Sequence, residues 1–553
     1  MTINNLAKLT PFGEKTELLV PAGSIEKLKI AVHYGADSIY IGTPDLSLRT
    51  QSEFTLEELT EAIEYAHSYS KRVYLTLNLF SHNKDIEKLP TFIDTIKKAK
   101  PDGVIIADPG VFSFVKQHAP DLDLHISTQA NICSSLTVDF WKEQGAELCV
   151  LAREVSFAEL KEIREKCQNI KLEVFVHGAM CMTYSGRCLL SNFMSERGAN
   201  QGNCAHSCRW NYKLKMRLKD GTIQELEIND QNKDMFEFLL EEEMRPGEFM
   251  PFEEDVRGSY ILNSKDLNLM PKLDEYLSLG VDSFKIEGRN KSIYYVAIAA
   301  RAYRMAIDDW YKDPENWSAE KYLTELDSLS NRGYTIAFHE GRLKNLSHNY
   351  LNTKSTSEWE FAGIISEWQD DYMIVDVKNR LVSGDVLEFV PPAPLDTIFL
   401  RLYEFIDFNK NDQIKQVMNP GHNPKIKIPV SVFDQEDISS LKDRLPVFTV
   451  LRKEKPISAV EKSRIKYDKV ANKIEDGQEA ENLLNKARGD LVQNIEENNV
   501  KNPTTKTPRL GLDGCCGRGC NGCLLFWHDD KYAAARAKLK DQKIGVMLKE
   551  KTA

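Results

Sequence analysis

Four of the chain's 11 cysteines, Cys181, Cys188, Cys204 and Cys208, fall in one stretch, FVHGAMCMTYSGRCLLSNFMSERGANQGNCAHSCRWNY, at residues 175–212. Four thiolates brought to one point suit a soft centre, an iron–sulfur cluster or zinc. Zinc knuckles pair their cysteines two to four residues apart. Only Cys204 and Cys208 meet that rule; six residues separate Cys181 from Cys188, and fifteen separate Cys188 from Cys204. The spacing therefore favours a cluster, with structural zinc and reduced or disulfide-bonded cysteines as the alternatives. Among the ligands stand groups that move protons or hold anions: His177 and Tyr184 for the first, Arg187 and Arg209 for the second. The bland alternatives are a rim histidine, a tyrosine that braces the loop, and arginines in surface ion pairs.

A second sulfur-rich stretch, DGCCGRGCNGC, brings Cys515, Cys516, Cys520 and Cys523 together near the end of the chain. Cys516, Cys520 and Cys523 have the CxxxCxxC spacing of radical S-adenosylmethionine enzymes. Those enzymes carry the triad early in their barrel, so the expectation here is a compact zinc or iron–sulfur knuckle. Cys133, Cys149 and Cys167 stand alone and are expected to be small buried apolar residues.

Lys+Arg of 72 against Asp+Glu of 83 gives a net charge of −11, so no global field recruits nucleic acid. An RNA partner would need a local basic patch. At 553 residues and 42% hydrophobic content the chain can build two or three domains with sizeable cores. The first residues, MTINNLAKLTPFGEKTELLV, lack a basic segment followed by an apolar run. No stretch approaches the roughly 18 apolar residues of a membrane helix. The expectation is a cytoplasmic protein with no membrane partner.

The elements that must position these groups alternate between β-rich and helical patterns. The β runs are ELLVPAG (17–23), SIYIG (38–42), RVYLTLNLF (72–80), GVIIAD (103–108), LDLHIST (122–128), ELCVLA (147–152), LEVFVHG (172–178) and DSFKIEG (282–288). Eight such runs with helices between them predict an α/β fold, a (β/α)8 TIM-like barrel over residues 1–320. An open doubly wound sheet is the alternative, weakened by the lack of GxGxxG after the first run. Barrel enzymes keep their chemistry at the C-terminal ends of the strands. The cysteine stretch opens there, after run seven, within an insertion over 177–280. Lys285, Glu287 and Arg289 end run eight, His125 ends run five and Asn78 ends run three, so all are candidates for the mouth. Period-two alternation puts Lys285 and Glu287 on one face, with an internal Lys–Glu pair as the structural alternative to a catalytic lysine. Residues 321–455 read as a small β-barrel-like domain, 456–506 as a charged helical linker and 507–553 as the Cys-rich tail.

ELLVPAGSIEKLKIAVHYGADSIYIG, HISTQANI, VFVHGAMCMTYSGRCLLSNF, NQGNCAHSCRWNY, YILNSKDL and SFKIEGRNKSIYY together resemble the peptidase U-32 family of collagenase-like proteins. The similarity spans about residues 16 to 450 and leans towards the family's tRNA 5-hydroxyuridine synthase branch. It implies a [4Fe-4S] cluster on Cys181, Cys188, Cys204 and Cys208. It also implies hydroxylation of the wobble uridine in the tRNA anticodon loop, with prephenate as co-substrate. Catalytic roles would fall to His177, Tyr184 and Lys285, and substrate binding to Arg187, Arg209, Glu287, Arg289, His125 and Asn78. Hydroxylation of ribosomal-RNA cytidine or of ubiquinone is the related alternative. A peptidase is the other, although the chain has neither HExxH nor GxSxG.

Overall fold

The computed structural model describes residues 9–42, 54–78, 81–180, 264–341, 355, 357–417, 424–433 and 438–457, the short strands within 215–260 and a few residues between 462 and 486. Within these ranges the eight β runs form strands: β1 (Glu17–Ala22), β2 (Ser38–Gly42), β3 (Arg72–Leu77), β4 (Gly103–Ile106), β5 (Asp123–Ile126), β6 (Leu148–Val150), β7 (Lys171–Gly178) and β8 (Ser283–Ile286). Each is followed by a helix: α1 (Ile25–His33), α2 (Leu56–Ser68), α3 (Leu89–Ala99), α4 (Pro109–His118), α5 (Ser135–Glu143), α6 (Phe157–Lys166), α7 (Leu273–Leu279) and α8 (Ile293–Lys312). Neighbouring strands pair in parallel from β1 to β7, and β8 pairs with both β7 and β1, closing the barrel.

Local chemistry starts the helices where the pattern requires. Thr55 and Glu58 form a capping box on α2, and Ser156 and Glu159 one on α6, each satisfying amides that have no partner within the helix. Asp108 caps α4 ahead of Pro109, and Ser292 caps α8 by accepting from the Tyr295 amide. Outward residues such as Leu18, Val20, Ile39, Ile41, Val73 and Leu75 join the helices in one large core. Inside the barrel Leu19, Tyr40, Tyr74 and Ile105 form a separate layer.

The chain leaves the barrel after Met180 and returns at Ser264, whose Oγ donates to the Met180 carbonyl at 3.2 Å. A short strand, Asp266–Asn268, then runs antiparallel to the end of β7, with Leu267 opposite Gly178 and Asn268 opposite His177. Between these two points lie a hairpin of Lys215–Arg217 with Ile223–Glu225 and a meander of Phe238–Glu241, Phe249–Asp255 and Gly258–Tyr260. Residues 181–214, with all four clustered cysteines, Tyr184, Arg187 and Arg209, lie outside the described residues. So do Cys515, Cys516, Cys520 and Cys523 and nearly all of the segment expected as a charged linker. Of the lone cysteines, Cys149 and Cys167 are buried as expected, but Cys133 is exposed. It follows the left-handed Asn131 in the loop after β5, beyond the apolar Ile132 that enters the core.

The C-terminal domain is an eight-stranded antiparallel sheet around its own core, which includes Ile365, Met373, Leu387, Phe389, Phe405, Ile428 and Leu451. Its strands are β9 (Trp359–Gln369), β10 (Tyr372–Val377), β11 (Val386–Val390), β12 (Ile398–Arg401), β13 (Phe405–Asp407), β14 (Gln413–Ile414), β15 (Lys425–Pro429) and β16 (Val450–Glu454). The order is β12-β11-β16-β9-β10-β15-β13-β14. Among the described residues the two end strands do not pair, so the expected β-barrel-like domain is an antiparallel half-barrel. Register shifts along β9 bend it around the core. The two domains share packing: Ile364, Val390 and Val450 belong to the barrel core. The Tyr34 hydroxyl donates to the Val390 carbonyl at 2.7 Å, and Arg301 donates to the carbonyls of Pro391 and Leu395.

Candidate functional site

The bore of the barrel is polar where most barrels are aliphatic. Lys285 projects from β8 and forms a 2.8 Å ion pair with Glu173 on β7, which also accepts from Ser283 at 2.8 Å. All three are buried. The Lys285 ammonium lies over the Tyr40 ring, 4.6 Å from its centroid, with Phe175 at 5.6 Å. Burial lowers the lysine's pKa; Glu173 opposes that shift, while Arg289 and Arg153 add to it. The internal pair expected for Lys285 does exist, but its partner is Glu173 on the neighbouring strand and not Glu287.

Arg289 follows β8, where its backbone crosses the end of β1. Gly23 permits that approach, since a Cβ there would stand 2.4 Å from the Arg289 carbonyl oxygen. The Arg289 side chain turns inward, donates to Thr76 Oγ1 at 2.6 Å and lies 5.9 Å from the Tyr40 centroid. Tyr40 is therefore the surface on which both cations meet, and its hydroxyl is held by the Ile286 carbonyl at 2.9 Å. Glu287 sits over Gly178, which has φ +121° and where a Cβ would clash at 2.7 Å with the Glu287 Cβ and carbonyl oxygen. The Glu287 amide bonds to the His177 carbonyl, and its own carbonyl accepts from the Tyr295 hydroxyl.

His177 is not in this group. Alternation from Glu173 and Phe175 would aim it into the bore, but the register slips there: Phe175 pairs with Lys285, and His177 already pairs with Ile286. The extra residue on β7 changes the orientation, and the ring packs among Tyr295 and Tyr303 of α8 and Tyr334, at 5.5–5.8 Å. His177 is buried, its Nδ1 has no hydrogen-bond partner, and burial with the nearby Lys291 lowers its pKa to about 3, against a hydrogen bond that the ring donates to the Asn268 side chain. Asn78 and Ser127 face one another beyond β3 and β5, with 3.5 Å between Nδ2 and Oγ.

His125 lies below the mouth and within the bore, 4.5 Å from the Tyr74 ring, and its Nδ1 has no hydrogen-bond partner. Burial, reinforced by Lys285, Arg72 and Lys171, pushes its pKa down to about 3 from the ordinary 6.5. A depressed histidine contributes stability that is present above pH 6.5 and is lost as pH falls towards 3, because the unfolded chain takes the proton first. We expect the stability difference between parent and His125→Gln to shrink by about 1.4 kcal/mol per pH unit below pH 6.5. Urea unfolding of both proteins from pH 7 to 4 measures it, and parallel curves would refute a neutral buried His125.

The sequence reading missed Tyr40, Thr76 and Glu173. A lone carboxylate inside the apolar run LEVFV was the available signal, since a charge in a fully buried strand requires a partner. Arg153, whose guanidinium stacks 4.0 Å above Phe175, had no such signal. Among the described residues no group of three or more His, Cys, Asp or Glu side chains could hold a metal. The donor set that suits one, four thiols, begins at Cys181, immediately after the point where the chain leaves β7.

A family model described as peptidase family U32 matches residues 23–349, and one for the U32 C-terminal domain matches residues 357–438. The chain is 38% identical to "tRNA hydroxylation protein P1" of Bacillus subtilis, over 76% of this chain and 93% of that protein. It is 40% identical to "tRNA hydroxylation protein P" of Escherichia coli, over 68% of this chain and 86% of that protein. A protein named "Collagenase" from Porphyromonas gingivalis is 29% identical, over 75% of this chain and 94% of its own length. With two successive family models covering most of the barrel and of the half-barrel, the chain belongs to peptidase family U32.

Proposed function

We propose that this chain is a tRNA hydroxylase that converts the wobble uridine to 5-hydroxyuridine, with prephenate as co-substrate and a [4Fe-4S] cluster on Cys181, Cys188, Cys204 and Cys208. The observation that carries this reading is identity of 38–40% to proteins named for tRNA hydroxylation, over most of their lengths. The peptidase alternative rests on the family's name and on relatives named as a protease and a collagenase, at 35% and 29% identity. An unpaired anticodon base can leave its stack and enter a barrel mouth without a duplex being opened. Arg289, oriented by Thr76 and Tyr40, offers a guanidinium there to a carboxylate or phosphate. A dicarboxylate needs a second cation; Lys285 is already neutralised by Glu173, which leaves Arg187 as the candidate. When bound, the cluster would supply electron transfer or polarise an oxygen ligand. Tyr184, in the same cysteine-rich stretch of sequence, would carry the proton.

Nucleosides from tRNA of a deletion strain test the proposal. They should lack 5-hydroxyuridine and its derivatives, and the wild-type gene should restore them. Unchanged tRNA would overturn it, and altered ribosomal cytidine or ubiquinone would select a related reaction. Removing a charge-assisted contact costs about 1.5–3 kcal/mol, roughly ten- to a hundredfold. Arg289→Ala should lower kcat/KM by about that factor in a purified assay, with iron content retained, and Arg289→Lys should recover only part. Loss of folding in place of loss of turnover would assign Arg289 to the scaffold.

A further inference from the structure

Among the described residues of the half-barrel, the exposed large apolar side chains gather on one strand pair. They are Val386 on β11, 42% exposed, with Phe399 on β12 and Tyr403 just beyond it, 65% and 62% exposed. Arg401, between the two aromatics, is also exposed and lies opposite Val386. Leu400 and Leu402 are buried, so alternation holds through this stretch and residues 399, 401 and 403 share the outer face. Pairing continues past β12: the Leu402 amide donates to Asp385, the Gly384 amide to Leu402, and Ser383 Oγ to the Tyr403 carbonyl at 2.9 Å. Arg401 Nη1 donates to the Gly384 carbonyl at 3.3 Å, which lays the guanidinium along the strand. Nothing lies within 4 Å of a Cβ built on Gly384, so the space beside it is open.

β12 ends the sheet, and among the described residues no strand pairs with its outer edge. Folded proteins usually blunt such an edge with charge or proline, because exposed aromatics there invite aggregation. The stripe also runs towards the barrel's working end. β16 begins at Val450, whose amide donates to Tyr34 at the foot of α1. Further along, Arg452 holds Glu388 by two bonds and reaches Tyr294 in the first turn of α8, just after Arg289. β11 is antiparallel to both β16 and β12, so Phe399, Arg401 and Tyr403 climb in that same direction, about 10 Å to the side.

We infer that Phe399, Arg401 and Tyr403 form an RNA platform that stacks unpaired bases on the rings and holds the backbone with the guanidinium. This rests on the tRNA reading above. Aromatic, cation, aromatic in alternation on a sheet surface suits single-stranded RNA, whose bases stack on rings and whose backbone meets cations. It also meets the need, in a chain of net charge −11, for local recognition.

The test uses the full-length holoprotein, a tRNA transcript lacking the modification, and fluorescence anisotropy. Phe399→Ala/Tyr403→Ala should raise the tRNA Kd roughly ten- to a hundredfold, with KM rising, kcat kept and the unfolding midpoint unchanged. Arg401→Ala should lower the salt slope of binding by about 0.7–1, while Phe399→Trp and Tyr403→Phe should bind as the parent does. If the parent binds and hydroxylates tRNA and Phe399→Ala/Tyr403→Ala does both equally well, the platform alone falls. If the parent does neither, the tRNA reading falls and takes the platform with it. Loss of a parent dimer in the double variant with tRNA affinity unchanged would make the stripe a protein interface and overturn the inference.

Discussion

Cys181→Ala, and the same change at Cys188, Cys204 or Cys208, is expected to abolish hydroxylation and remove the broad visible absorption of an iron–sulfur protein. A four-thiolate centre that loses one ligand loses either its metal or its coordination geometry. The fold should survive, because every barrel pairing, including β7 with β8 and β8 with β1, is made outside residues 181–263. Far-UV circular dichroism and the urea midpoint of the barrel should therefore stay near the parent's while iron content falls. Deleting residues 507–553, beyond both family matches, should leave the absorption and at least part of the activity. Four variants with full iron and full turnover would dismiss the centre. A colourless parent preparation containing zinc would replace the cluster with the other soft metal.

Glu173→Gln should be the most destabilising single change in the bore. It keeps the size of the side chain but leaves Lys285 buried with no counter-charge and weakens the acceptor of Ser283. Breaking a buried ion pair from one side costs about 3–5 kcal/mol. Replacing both partners by apolar residues of similar volume is often neutral, so Glu173→Leu/Lys285→Met should recover most of the loss. Denaturant unfolding of the parent, both single variants and the double variant gives the coupling directly. A cost below about 1 kcal/mol for Glu173→Gln would mean that water reaches the pair. The double variant also separates scaffold from chemistry: if it folds and still hydroxylates tRNA, Lys285 is structural.

The barrel was legible because its strands are short apolar runs alternating with helical patterns, and most of those helices open on a capping residue. SIYIG became a strand with the same bounds, and the other seven runs shifted only at their ends. The bore was less legible, since which inward side chains meet depends on register between strands far apart in sequence. Lys285 and Glu173 are a pair only because Ser283 aligns with Glu173 across β7 and β8. His177 shows the limit most clearly. Its place at the end of the seventh run put it at the mouth, and one extra residue in β7 sent it among the α8 tyrosines. Nothing local in VFVHG announces that slip. The half-barrel was readable as a small β-barrel-like domain, but the order of its strands depends on pairings that the sequence does not mark.

The neck at Met180 and Ser264 also bears on how such chains diversify. Because the chain leaves and returns at one hydrogen-bonded point, the barrel fixes the distance between the ends of the excursion and is indifferent to its length. Doubling a flexible loop adds only about 0.6 kcal/mol of closure entropy. The excursion can thus be lengthened, shortened or exchanged as a cassette, with the Leu267–Gly178 register serving as the splice point. A graft joined at those residues should fold on this chassis whatever chemistry it carries, which gives one barrel a route to several reactions.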